Sequence, residues 1–270
     1  MSYHKFFASV LLFLSVNYST LPLPCYASQS YPNLENNPLI TSEIHSKITD
    51  YLIPINHPIK ATLDSIFSQS RVLENERTLI DAGFDVFVSP MPSSYIIVAR
   101  HPAVPGYIFK LHLDSESRSR KQLPHWTWLV RRCAEAKKIR QLIRRKNIRH
   151  FLVPDKWLFI PPVYPYSSAL HPQPVVLVET DMELVSREET ELMWKKGIKR
   201  KHLDEYYSII KHGYGGVSVL YLINNVPFTK HGKFAFIDTE GPQSDHLNFK
   251  FIKKYLSKDM QNYWDTLTHQ

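Results

Sequence analysis

The chain has 270 residues, 43% of them hydrophobic and 21% charged, with a formal net charge of +8 and two cysteines. That is enough chain for one domain of good size or two small ones with a proper core. Beyond the first apolar run, none approaches membrane-spanning length, which excludes a multi-span membrane protein.

Met1 to Lys5 is a short basic opening and Phe6 to Val16 an apolar stretch of the length that secretory signal peptides use. The segment breaks at Pro22 and Pro24, and Cys25-Tyr26-Ala27 sets small residues three and one before a cut after Ala27. Residues 1–27 are therefore expected to be a cleaved signal peptide, with an uncleaved N-terminal anchor as the alternative. The expected destination is the periplasm or the exterior, including delivery into a host cell. Cleavage removes Cys25 and leaves Cys133 as the lone thiol, so no internal disulfide can form. Such a chain is stabilised by burial alone, or works in a reducing compartment.

Residues 28–58 are polar and proline-punctuated, the composition of a linker or loosely docked arm, and compact structure is expected from about Ile59. Apolar spacing predicts helices over Lys60–Ser68 and Leu73–Ala82, the second stopped by Gly83. The period then shortens. Asp85–Val88, Ser94–Ala99 and Tyr107–Leu113 read as three sequential antiparallel strands.

Trp126–Asn147 is the longest helical pattern. It lies in a run, Arg118 to Arg149, that holds twelve Lys and Arg against the single acid Glu135. Most such runs are a solvated face; the alternative is an anionic partner, nucleic acid or lipid, engaged by Arg131, Arg132, Lys138, Arg144 and Arg145. At 100° per residue Glu135 falls within about 40° of Trp128, Ile139 and Leu142, at the edge of the apolar face rather than among the arginines. After a loop at Pro161-Pro162 and Pro165 come a strand at Val175–Glu179 and helices at Arg187–Lys195 and Leu203–His212. A glycine cluster (Gly213, Gly215, Gly216), a strand at Phe234–Ile237 and one or two closing helices over Phe249–Leu267 complete the chain.

Lys110, central in the third strand between apolar neighbours, needs a partner if buried, because an unpaired buried ammonium is costly; on an edge strand it would face water. Asn225 to Glu240 runs from an amide through a Lys-His-Gly turn into a hydrophobic strand that ends in an acid. Such a hairpin brings Asn225 and Asp238 to one end, where an amide oxygen and a carboxylate can share a hard cation; a plain hairpin with a solvated Asp is the alternative.

This last segment resembles the catalytic-loop-to-metal-loop region of the protein-kinase-like superfamily, with 13 residues from Asn225 to Asp238 and the ending Gly-Lys-Phe-x-Phe-Ile-Asp. The resemblance spans about Phe84 to Glu240. It implies an α+β, reduced two-lobed kinase-like fold, with an antiparallel sheet and long helix in an N-lobe (59–180, with an N-terminal extension) and a small, mainly helical C-lobe (181–270). It further implies Asn225 and Asp238 as Mg²⁺ ligands, Lys110 as the phosphate lysine of an ATP site and Glu135 as its ion-pair partner.

The pattern also departs from the family. Leu220 stands where the family has its catalytic aspartate, Ser89 to Ser94 lacks the phosphate-loop glycines, and Asp238-Thr239-Glu240 replaces Asp-Phe-Gly. Leucine cannot take up a proton, so the expected protein is a pseudokinase that binds nucleotide and Mg²⁺ and acts through a host or envelope partner. The alternatives are an active atypical phosphotransferase with a displaced base (Asp204, Glu205 or Asp245) and a basic interaction module for nucleic acid or anionic membrane.

Overall fold

The computed structural model describes residues 34, 37–89, 94–162, 171–212, 221–240 and 249–269. All of these lie in one unit, Tyr31–Gln270. The expected signal peptide, Leu220 and Asp245 lie outside the described residues.

Ordered structure begins earlier than Ile59. Helix α1 (Ser42–Ile48) starts at Thr41, whose hydroxyl accepts from the Ile44 amide, and continues into a 3₁₀ turn, Thr49–Tyr51. The composition of this arm is polar, but Ile48 and Ile53 are fully buried and the Ile53 amide donates to the Leu158 carbonyl at 2.9 Å. Helices α2 (Lys60–Phe67) and α3 (Glu76–Asp81) follow. The second starts three residues later than expected because Asn75 and Thr78 form a reciprocal capping box there.

Strands β1 (Asp85–Val88), β2 (Ile97–Arg100) and β3 (Tyr107–Leu111) form the expected antiparallel meander. Helix α4 (His125–Arg145) crosses to β4 (Phe151–Leu152) and β5 (Lys156–Phe159), neither of them anticipated, and then to β6 (Val176–Thr180). The result is α+β, with a five-stranded antiparallel sheet in the order β1-β2-β3-β6-β5.

The register sorts side chains by face. Phe109 stands opposite Val178, and Val178 opposite Trp157; this face packs on α2 through Leu63 and Phe67. Lys110 stands opposite Leu177, Leu177 opposite Leu158, Ile108 opposite Glu179, and Glu179 opposite Lys156. That face packs on α4 through Trp126, Leu129 and Cys133. Strict alternation thus places two lysines and a glutamate on the α4 face of an otherwise apolar sheet.

The far half of α4 enters a second core. Ile139 and Leu142 join Trp194, Tyr206 of α6 (Arg200–Ile210), and Trp264 of α8 (Lys258–Thr268). Between these run α5 (Arg187–Leu192), a π turn (Met193–Gly197) and α7 (Leu222–Asn225); a 3₁₀ segment, Phe249–Tyr255, precedes α8. Strand β7 (Phe234–Ala235) pairs in parallel with β4, Phe151 opposite Phe234. Phe151, Phe234 and Phe236 are all buried here, each contributing about 1.5–3 kcal/mol of hydrophobic stabilisation. This short ladder fixes the exit of β7, so Ile237 to Glu240 is delivered under the α4 face of the sheet. No described helix is long and apolar enough to cross a membrane.

Candidate functional site

The delivered segment meets the two sheet lysines. Lys110 Nζ donates to the Ile237 carbonyl at 2.8 Å and pairs with Glu179 Oε1 at 2.9 Å. Lys156 Nζ donates to the same carbonyl at 2.8 Å and pairs with Glu179 Oε2 at 2.6 Å. One glutamate and one backbone oxygen are therefore shared by two buried ammonium groups. Burial pushes Lys156 down to about 8, against the pull of Glu179. Burial works to raise Glu179, yet the two lysines hold it below its ordinary value.

Next along the chain, Asp238 and Glu240 face α4. Arg132, only 4% exposed, sets Nε 3.3 Å from Asp238 Oδ1 and a terminal nitrogen 3.1 Å from Glu240 Oε2. Arg120 reaches Glu240 Oε1 at 2.7 Å while its guanidinium stacks 4.4 Å above the Trp128 ring. The Thr239 hydroxyl donates to the Arg132 carbonyl at 2.7 Å, and the Glu240 amide donates to Asp238 Oδ1 at 3.3 Å. Burial alone would raise the Asp238 carboxyl, but Arg132, Lys110 and Lys156 outweigh it and hold it well below the usual carboxylate range.

Four cations (Lys110, Lys156, Arg132, Arg120) thus interleave with three carboxylates (Glu179, Asp238, Glu240) over the α4 face of the sheet. No protein family and no curated protein sequence matches the chain.

Of the residues singled out from the sequence, Lys110 and Asp238 come together through Ile237. Asn225, at the end of α7 rather than on a strand, is tied to them through its backbone carbonyl, which accepts from the Ile237 amide at 3.0 Å. Glu135 is 5% exposed and its carboxylate lies 3.8 Å from Lys138; the short carboxylate contact of Lys110 is Glu179. Arg132, expected on the basic outer surface with Arg131, Lys138, Arg144 and Arg145, instead turns inward, because it lies four residues after Trp128 on the buried stripe.

Lys156, Glu179, Arg120 and Glu240 were not anticipated. The lysine opening the apolar run Lys-Trp-Leu-Phe of β5 and the acid ending the apolar Val175–Glu179 run carry the first two. Cys133 is buried, which pushes its thiol up to about 12; a protonated thiol is a poor nucleophile. Asp204 and Glu205, weighed as displaced bases, are bonded to Tyr263 and His150 respectively.

The donor set does not fit Mg²⁺. The ion would have to sit at Asp238, whose carboxylate is engaged by a guanidinium and lies in the field of two ammonium groups. Mg²⁺ keeps several waters and is held by one or two carboxylates together with substrate phosphates, and the two carboxylates here, Asp238 and Glu240, already lie against Arg132. Among the described residues no group of three His, Cys, Asp or Glu side chains is placed to hold a metal.

Proposed function

We propose that this chain is a kinase-like scaffold without phosphoryl-transfer chemistry, a pseudokinase that works by binding partners. The observation that carries the proposal is the Arg132–Asp238 contact. Where the family would use Asp238 to hold a metal on phosphate, a buried guanidinium supplies the positive charge instead. Three strands, a long helix and two further strands, with a lysine on the third, support the kinase-like reading of the fold. The two-lobed architecture belongs to the same proposal. The sheet and the front of α4 correspond to one lobe, and the core around Trp194, Tyr206 and Trp264 to the other.

The Lys110 ammonium already holds Glu179 and the Ile237 carbonyl, so only one of its three donors is left for a phosphate oxygen. We place the working protein outside the cytoplasm that makes it, on the strength of residues 1–27. A secreted form whose first residue is Ser28 is the expected outcome of N-terminal sequencing.

A thermal-shift titration with ATP, with and without Mg²⁺, tests the reading. A ligand at a hundred times its Kd stabilises the folded state by about 2.7 kcal/mol, or about 5–10 °C for a domain of this size. The expected result is no Mg²⁺-dependent shift at millimolar ATP and no ATP turnover. A shift of that size that disappears in Asp238→Asn would return the chain to the active or nucleotide-dependent class.

A further inference from the structure

The turning-in of Arg132 separates one structural cation from the rest of the basic run and shows what the remainder does. On α4 and just beyond it Arg131, Lys137, Lys138, Arg144, Arg145, Lys146 and Arg149 are exposed, while the only acid of the helix, Glu135, is buried. The helix is 21 residues long, roughly 31 Å at 1.5 Å per residue. Arg131, Lys138 and Arg145 are seven residues apart and form one row with a step of about 10 Å; Lys137 and Arg144 form a second row one residue behind. The outcome is a face with cations in two files and no exposed carboxylate on the helix.

Little inside the protein accounts for this face. The side chains of Arg144, Arg145 and Arg149 make no ion pair or hydrogen bond among the described residues. Arg131 stacks 4.6 Å from the Trp128 ring and Lys146 Nζ donates to the Ser208 hydroxyl at 2.9 Å. Cations in the last turn oppose the helix dipole. That explains Arg144 and Arg145; two turns or more upstream, Lys137 Nζ lies 5.8 Å from the Tyr51 ring and Lys138 Nζ 3.8 Å from Glu135, long contacts that leave both cations exposed.

We infer that this face docks the sugar–phosphate backbone of duplex nucleic acid, without sequence preference. The inference does not depend on the kinase-like reading. Three observations select this occupant. A file of guanidinium and ammonium groups complements a polyanion carrying one charge per about 1.7 Å of axis, and arginine forks match phosphate oxygens. The exposed large hydrophobic residues (Ile55, Ile80, Phe87, Leu184, Leu192, Phe251 among them) all lie off this helix, so it has nothing to insert into a bilayer. No aromatic side chain is exposed on it to stack unpaired bases. Gln141 is the lone exposed amide between the files, too little for base-edge reading.

The test is fluorescence anisotropy of the purified chain with two short DNA duplexes of unrelated sequence. Equal affinities are expected. With about five phosphate contacts at a slope near −0.9 each, affinity falls about 500-fold between 50 and 200 mM salt. Reversing one file (Arg131→Glu, Lys138→Glu, Arg145→Glu) removes binding at least a hundredfold with an unchanged circular dichroism spectrum. Reversing three exposed lysines elsewhere (Lys196→Glu, Lys230→Glu, Lys258→Glu) changes net charge equally and leaves affinity within about threefold. The inference is overturned by no binding at low salt, by equal loss in the two triple variants, or by binding to phosphatidylserine vesicles without binding to duplex.

Discussion

Replacing Arg132 by methionine keeps most of the side-chain volume on α4 and removes the guanidinium between Asp238 and Glu240. Breaking a buried ion pair by deleting one partner costs about 3–5 kcal/mol. The lower end applies here. Glu240 keeps Arg120 at 2.7 Å, and the Asp238 side chain is 28% exposed. A loss of about 3 kcal/mol corresponds to about 6–12 °C in Tm for a domain of this size. The sign of the pH dependence follows from Asp238. Its folded pKa is depressed, by Arg132 ahead of Lys110 and Lys156 and against the opposing effect of burial. Its contribution is therefore present above the unfolded value and lost as pH falls towards the folded one. Without Arg132 the folded value rises, so the penalty is largest near pH 7 and shrinks below about pH 4. Urea denaturation followed by tryptophan fluorescence at both pH values measures this. A variant within about 1 kcal/mol of wild type at pH 7, or a penalty that does not change with pH, would mean that Arg132 does not compensate the Asp238 and Glu240 carboxylates.

Three further outcomes follow from the same geometry. The folded Lys156 ammonium titrates at about 8, below its unfolded value, because of burial. Between those values the unfolded chain holds a proton the folded one has released, so wild type should gain stability relative to Lys156→Met as pH rises from about 8 to 10; a gap that is flat or narrows with pH contradicts this. Native Cys133 should not react with an aromatic disulfide reagent at neutral pH and should react fully in urea, since it is buried and its thiol is pushed up to about 12; labelling of Cys133 in the native Cys25→Ser chain is the contrary result. Asp114, fully buried, accepts from Arg71 at 2.7 and 2.8 Å and from the Gln173 amide at 2.8 Å. Asp114→Ala should therefore cost about 3–5 kcal/mol in urea unfolding, and a cost below 1 kcal/mol refutes that role.

The sheet's first three strands and α4 were legible because alternation and the 3.6-residue stripe are local signals. That Lys110 needs a partner was legible as well, since a lysine amid Tyr107-Ile108-Phe109-Leu111 is buried only against an acid or a carbonyl; that the acid is Glu179 was not. β5 was hidden because Lys156 is followed by an unbroken apolar run, Trp157 to Ile160, with no alternation to mark a strand. Its lysine therefore went unseen, and with it the reason for Glu179. Within Arg131-Arg132 the two side chains point about 100° apart on a helix, one outward and one into the core. A count of charge along the chain merges them, and only the register against Trp128 separates them. The arm carrying α1 was misread for a related reason. Composition reports the polar majority of residues 28–58, whereas docking depends on the few, such as Ile48 and Ile53, that are buried.

We propose that Arg132 takes the place of a divalent cation at Asp238. Titration of Mn²⁺ into the purified chain, followed by water-proton relaxation, tests this. No enhancement is expected at millimolar Mn²⁺ in wild type, with or without ATP. Stoichiometric binding that is lost in Asp238→Asn would contradict it.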